Sequence, residues 1–135
     1  MGRRKKNKII DGILITGIAE KGMSVGRTTE GEVVFVEDAV PGDVVNVVVI
    51  KKKKNHSICR VISTTQLSEE RTTPFCKHFF HCGGCKWQHM LYESQTKYKF
   101  IKIVNAMRRI GKMETDGIIN AVRHSKDIRY YRNKL

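Results

Sequence analysis

The sequence lacks most of what would mark a membrane protein or a complete nucleotide-dependent enzyme. Its 135 residues hold no run of 18 apolar residues, so no helix long and apolar enough to span a bilayer is encoded. The N-terminus is basic at Arg3, Arg4, Lys5, Lys6 and Lys8, but the apolar pair Ile9–Ile10 is broken at once by Asp11. A secretory apolar region and a small-residue cleavage site are both missing, which points to the cytoplasm. Nowhere does a strand lead through a glycine-rich loop into a helix, so nothing would cradle the phosphates of a nucleotide cofactor. There is no internal repeat. Acids are scarce: 13 Asp and Glu stand against 26 Lys and Arg, a net charge of +13.

A charge of that size calls for a polyanionic partner, because each neutralised phosphate releases counterions and favours binding. Nucleic acid is the first candidate, and a merely basic surface is the bland alternative. The charge is not one tail. Residues 1–64 hold 12 bases and 7 acids, and residues 65–135 hold 14 and 6. The hydrophobic share of 40% argues against wholesale disorder and for a packed core.

The first half predicts β structure. Ile9 to Ile18, Ser24 to Thr29, Glu32 to Val36, Asp43 to Ile50 and His56 to Thr64 are rich in β-branched residues. Gly22, Gly26 and Gly31 mark turns or bulges, and Pro41–Gly42–Asp43 marks a tight turn. Five short strands in about sixty residues suggest a small closed barrel, since closure removes the edges that valine-rich strands would otherwise expose. The second half changes character after Ser68. Leu91 to Ile110 has helical spacing, with Tyr98, Ile101, Val104, Met107 and Ile110 on one face and Gly111 as its stop. Ile118–Ile119 and Ile128–Tyr131 look like strand fragments. The chain runs to Leu135 without a cap or polar tail, which suggests a fragment of a longer protein. The expected fold is thus mainly β: a five-stranded barrel, then a cysteine-rich loop and an α-helix.

Four cysteines occur, and three share one decapeptide: Cys76, Cys82 and Cys85. In a cytosolic chain that spacing argues for metal rather than disulfides. The glycines of Cys82-Gly83-Gly84-Cys85 let the backbone curl toward two converging sulfurs. Arg71, Lys77 and Lys86 are close enough in sequence to favour thiolates. Zinc would take a fourth ligand from His78, His81 or His89. A [4Fe–4S] cluster would take a fourth cysteine. Three free thiols in a loop is the remaining alternative. Phe75, Phe79, Phe80 and Trp87 would shield a metal or simply pack. Cys59 lies inside the last expected strand with no motif around it, so it is a core cysteine and not a nucleophile. No catalytic residue is assigned.

These residues also carry a family resemblance. Residues 10–64 resemble a TRAM domain, a small OB-like RNA-binding barrel, at Gly22-x3-Gly26, Gly31 to Val36, Ala39-Val40-Pro41-Gly42-Asp43 and the run Lys51–Lys54. The pattern Arg71-x2-Pro74-x-Cys76-x5-Cys82-Gly83-Gly84-Cys85-x2-Gln88-His89 resembles the iron–sulfur segment of RNA uracil-5-methyltransferases, the 23S rRNA enzymes above all. Tyr92, Gln95 and Lys99, with Tyr131-Arg132-Asn133-Lys134, are similar to the same family. The resemblance implies methyl transfer from S-adenosylmethionine to uracil C5, with a cysteine adding to C6 and a base removing the C5 proton. It implies that Cys76, Cys82 and Cys85 are three of four [4Fe–4S] ligands, the fourth coming from a central domain. On that reading the chain binds RNA, ribosomal by the resemblance, but the cofactor and the chemistry need a domain it does not contain. By itself it would be metal-free or hold an incidental zinc.

The organisation expected is a basic arm at 1–8, the TRAM barrel at 9–64, the metal segment at 65–90, and a helix opening a truncated central domain at 91–135. RNA contacts are expected from Lys21, Arg27, Lys51, Lys52, Lys53, Lys54, His56 and Arg60, with Phe35 as a stacking platform. Phe35 has a second reading as core, and the lysine run as a solvated hairpin tip. A monomer is expected. Two other functions stay open: a free-standing RNA-binding module with a zinc knuckle, and a redox sensor whose thiols or cluster control RNA binding.

Overall fold

The β-branched runs of the first half form five strands in the computed structural model, which describes residues 7–131. Most of the basic arm and the last four residues therefore lie outside the described residues. The strands are β1 (Ile9–Ile18), β2 (Ser24–Arg27), β3 (Val33–Glu37), β4 (Val44–Lys52) and β5 (His56–Gln66). They close into a barrel in the order β1-β2-β3-β5-β4. All pairings are antiparallel except β3 with β5, which run parallel from Val33↔His56 to Glu37↔Arg60.

Alternation along each strand sorts side chains into two sets. Ile13, Ile15, Val34, Val36, Val45, Val47 and Cys59 point inward and, with Ala39, make the core. Barrel closure brings β1 and β2 very close. A Cβ on Gly26 would stand 2.6 Å from the Leu14 carbonyl oxygen and 2.7 Å from Ile13 Cγ2, so only glycine fits. The buried Ser24 hydroxyl is satisfied by the Ala39 carbonyl at 2.5 Å.

Two compact units divide between Met90 and Leu91. The first contains the barrel and the cysteine-rich segment, including a short helix α1 (Phe79–Cys82) that the sequence did not announce. The second is built on α2 (Tyr92–Arg109). Its helical spacing is real, but the apolar face is not buried within the unit: Ile101, Ile103 and Ile110 are exposed. The buried positions of α2 are instead Ser94 and Thr96. On those first turns the Tyr92 hydroxyl accepts the Ser125 amide at 2.8 Å, and His124 stacks edge-on against the Tyr92 ring. The helix ends at the expected place, with the left-handed residue at Lys112 (φ 54°) rather than Gly111. Neither expected strand fragment forms among the described residues, where Ile118, Ile128, Tyr130 and Tyr131 are exposed rather than packed on a sheet face. Among the described residues no helix is long and apolar enough to cross a membrane.

Candidate nucleic-acid interface and cysteine loop

The outward set of the barrel strands forms a mixed aromatic and basic face. Register fixes its rows. Arg27 lies beside Val33, which lies beside His56. Val25 lies beside Phe35, Phe35 beside Ile58, and Ile58 beside Lys51. Glu37 lies beside Arg60. Phe35 is thus on the outer face and half-buried, while its neighbours Val34 and Val36 fill the core. Its ring meets the His56 ring edge-on, with centroids 4.9 Å apart. Arg60 holds Glu37 at 3.7 Å, and Arg27 donates to the Gly31 carbonyl at 3.2 Å.

Five of the expected contact residues therefore meet on one face: Arg27, Phe35, Lys51, His56 and Arg60. Lys53 and Lys54 rim it in the β4–β5 hairpin, where the Lys53 amide donates to the His56 carbonyl at 2.9 Å. Lys52 alternates away and pairs with Glu32 at 3.5 Å. Lys21 stands apart, in the 3-10 turn Glu20–Gly22 beyond the other end of β2. Cys59 is fully buried, and its thiol is pushed up to about 11 by burial and secondarily by the Glu32 charge. It is a protonated core side chain with no nucleophilic character.

The cysteine-rich segment is locked to the barrel by a buried carboxylate. Asp43 is fully buried in the Pro41–Gly42–Asp43 turn. It accepts the Val40 amide at 2.8 Å and the Ser68 amide at 2.9 Å. Arg71 completes it, with Nε at 2.9 and 3.1 Å from the two oxygens and a terminal nitrogen at 2.8 Å. The guanidinium expected to assist the cysteines is therefore committed to Asp43. A second lock joins the Trp87 indole N–H to the Gly22 carbonyl at 3.1 Å. Gly22 has φ 72°, and a Cβ there would come 2.9 Å from Lys86 Cβ, so conformation and space both require glycine. Neither lock was visible in the sequence: the partners are 28 and 65 residues apart. The only available signal was an acid directly after a Pro–Gly turn.

His89 lies beneath this segment, 1% exposed, against the rings of Phe79 and Phe80. Neither ring nitrogen has a partner of hydrogen-bonding geometry. Burial, then the Arg71 charge, lowers its pKa; the Ala39 backbone, Asp38 and Asp43 pull weakly the other way. The unfolded chain then takes up a proton that the folded chain resists. This contribution to stability is complete above pH 6.5, the ordinary histidine value, and is lost progressively as pH falls below it. Fluorescence of Trp87, the sole tryptophan, reads the docking of this segment. We expect its midpoint in denaturant to drop between pH 6.5 and 5, and His89→Gln to abolish that drop. An equal drop in the variant would assign the acid sensitivity to another group.

The three clustered cysteines are free thiols, with Cys76 half-buried and Cys82 and Cys85 exposed. Cys82 ends α1, and Gly83 turns the chain with φ 71°. The Cys76 amide is held by the Gln88 side chain at 3.2 Å. His78 and His81 are exposed beside them. The donors suit a thiophilic metal in type, and they lie on one short loop. They are not gathered: among the described residues no three His, Cys, Asp or Glu side chains stand together as a metal site would need.

The family model of the TRAM domain matches residues 3–62. The TRAM match covers all of β1 to β4 and most of β5, the strands that carry the aromatic and basic face. The likeness to known proteins continues beyond the residues that this family model matches. An uncharacterized RNA methyltransferase of Porphyromonas gingivalis is 42% identical over 121 residues, 90% of this chain and 26% of the relative. One of Chlorobaculum tepidum is 38% identical over 134 residues, 98% of this chain and 27% of the relative. One of Bacteroides thetaiotaomicron is 37% identical over 118 residues, 87% of this chain and 26% of the relative. The chain thus spans about a quarter of the length of these curated relatives.

Proposed function

We propose that this chain is the RNA-binding portion of an S-adenosylmethionine-dependent RNA uracil-5-methyltransferase acting on ribosomal RNA. The observation that carries the reading is the outer barrel face, where Phe35 is set among Arg27, Lys51, His56 and Arg60. Cations bind the strand's phosphates, and an aromatic ring accepts a base on its face. The names and extents of the relatives support the assignment to RNA methylation. The TRAM domain holds the substrate strand, and the domain that binds the methyl donor lies in the part of the protein this chain does not span.

Cys76, Cys82 and Cys85 would supply three thiolates to a [4Fe–4S] cluster in the whole protein, and a cysteine from outside this chain the fourth. The exposure of Cys82 and Cys85 leaves this loop reachable by such a donor. When bound, the cluster would tie the loop to the rest of the protein. In this chain, Arg71 and Trp87 hold the base of that loop to the barrel.

The test is direct binding with the chain itself. Fluorescence anisotropy with a labelled single-stranded RNA should show binding that weakens steeply with salt. Calorimetry with S-adenosylmethionine should show no saturable binding, since no cofactor loop is present. Absence of RNA binding at low salt would overturn the first half of the proposal. Saturable micromolar binding of the methyl donor would overturn the second.

A further inference from the structure

A second feature of the barrel has no part in the outer face. At one end of the barrel the start of β1, the end of β4 and Glu32 enclose a cleft of about 260 Å³. Ile10, Val49 and Ile50 give it an apolar wall, and Lys8 and Lys52 stand at its margin. Its one acid, Glu32, is fixed from two sides. The Ser57 hydroxyl donates to Oε1 at 2.5 Å, and the Lys52 ammonium approaches Oε2 at 3.5 Å. The Ser57 hydroxyl bond is the main cause that lowers the Glu32 pKa; burial opposes it, and the Lys52 charge and hydrogen bond and the Lys8 charge add to the lowering. Each carboxylate oxygen can accept about two hydrogen bonds, so a lone pair on each remains for a ligand.

An ionised carboxylate selects by what stands next to a donor. Among the four RNA bases only guanine presents two adjacent donors on its pairing edge, N1–H and the N2 amino group. Adenine and cytosine place a ring acceptor beside their amino group, and uracil flanks its single N–H with two carbonyls. Those acceptors would be repelled by Glu32. The volume is slightly below the roughly 300 Å³ at which pockets for drug-sized ligands begin, so it suits one heterocyclic base. We propose that this cleft binds a single unpaired guanine of the RNA strand, with Glu32 accepting from N1–H and N2–H, the apolar wall against the base, Lys52 remaining on the Glu32 carboxylate, and Lys8 toward the phosphate. The inference rests on the reading of this chain as RNA-binding, and it adds base selectivity that the outer face alone would not give.

Anisotropy titrations compare oligouridine, the same strand with one central guanosine, and the same strand with inosine there. Inosine keeps N1–H and lacks the 2-amino group. The wild-type chain should bind the guanosine strand about tenfold tighter than oligouridine, as a bidentate base contact provides. Inosine should lose most of that gain, a comparison that needs no variant. In Glu32→Gln, checked for an unchanged melting curve, the ratio of guanosine to oligouridine affinities should collapse to within about twofold. The ratio reads the cleft, because removing one negative charge shifts both affinities together. Equal binding of the two strands by the wild type, or a preference that survives in Glu32→Gln, would overturn the guanine site and leave the RNA-binding reading standing. No binding of any strand at low salt would overturn both.

Discussion

Replacing Asp43 by alanine is expected to cost about 3–5 kcal/mol, because it leaves a partly buried arginine without its counter-charge. The carboxylate is the hub of the first unit. It is fully buried, and it receives Val40, Ser68 and Arg71 together. Its loss strands two backbone donors as well as the guanidinium. Small domains have total stabilities of roughly 5–15 kcal/mol, so the variant should be near unfolding. The pattern of loss is diagnostic. Asp43 belongs to the barrel and Arg71 to the segment after it, so the barrel turn and the docked cysteine loop should weaken together. Denaturant melts followed by Trp87 fluorescence and by far-ultraviolet circular dichroism should move in step. Arg71→Met should also be strongly destabilising, since it leaves the fully buried Asp43 carboxylate with two amide donors but no counter-charge. A double-mutant cycle should return a large coupling between the two sites. A cost below about 1 kcal/mol for Asp43→Ala would place this pair among weak surface contacts and refute its role as the lock.

How far the sequence disclosed this architecture depends on the range over which each cause acts. The strands were legible because alternation and turn residues are local: Val34 and Val36 face in, Val33 and Phe35 face out, and Pro41–Gly42 breaks the run before Val44. The same alternation settles Phe35 on the outer face. Closure of the barrel was legible, but the parallel pairing of β3 with β5 that completes it was not, because it is fixed by non-local packing across the core. The ends of α2 were readable from spacing and a glycine stop. The exposure of Ile101, Ile103 and Ile110 was not, because periodicity shows that a face is apolar and not what covers it. Arg71 was misread for a similar reason. Proximity in sequence to Cys76 suggested a thiolate partner, whereas the fold delivers the guanidinium to an acid 28 residues upstream. Glu32 gave no signal at all, since its meaning arises only when Ser57 and Lys52 meet it across strands.

Phosphate contacts and base stacking on the outer face should separate cleanly by salt. Neutralising Lys51–Lys54 together removes cations from the rim, and each lost phosphate contact should flatten the slope of log affinity against log salt by about 0.7 for a single strand. Lys52 is already turned to Glu32 at 3.5 Å, so three contacts rather than four are at stake, and the slope should fall by about 2. Phe35→Ala should behave differently. A stacked base is worth about 1–3 kcal/mol, so affinity should drop by roughly 5- to 150-fold with the salt slope unchanged. The side chain is on the outer face and only half-buried, so its truncation opens no cavity among Val34, Val36 and Cys59 and the chain should melt close to the parent. The two variants together decide what the face does. An unchanged slope in the lysine variant would return the run to a solvated hairpin tip. A loss in Phe35→Ala that disappears at high salt would mean the ring only spaces the neighbouring Arg27 and Arg60. Affinity loss at constant slope in one variant, and slope loss in the other, is the outcome that a stacking platform framed by phosphate-binding cations requires.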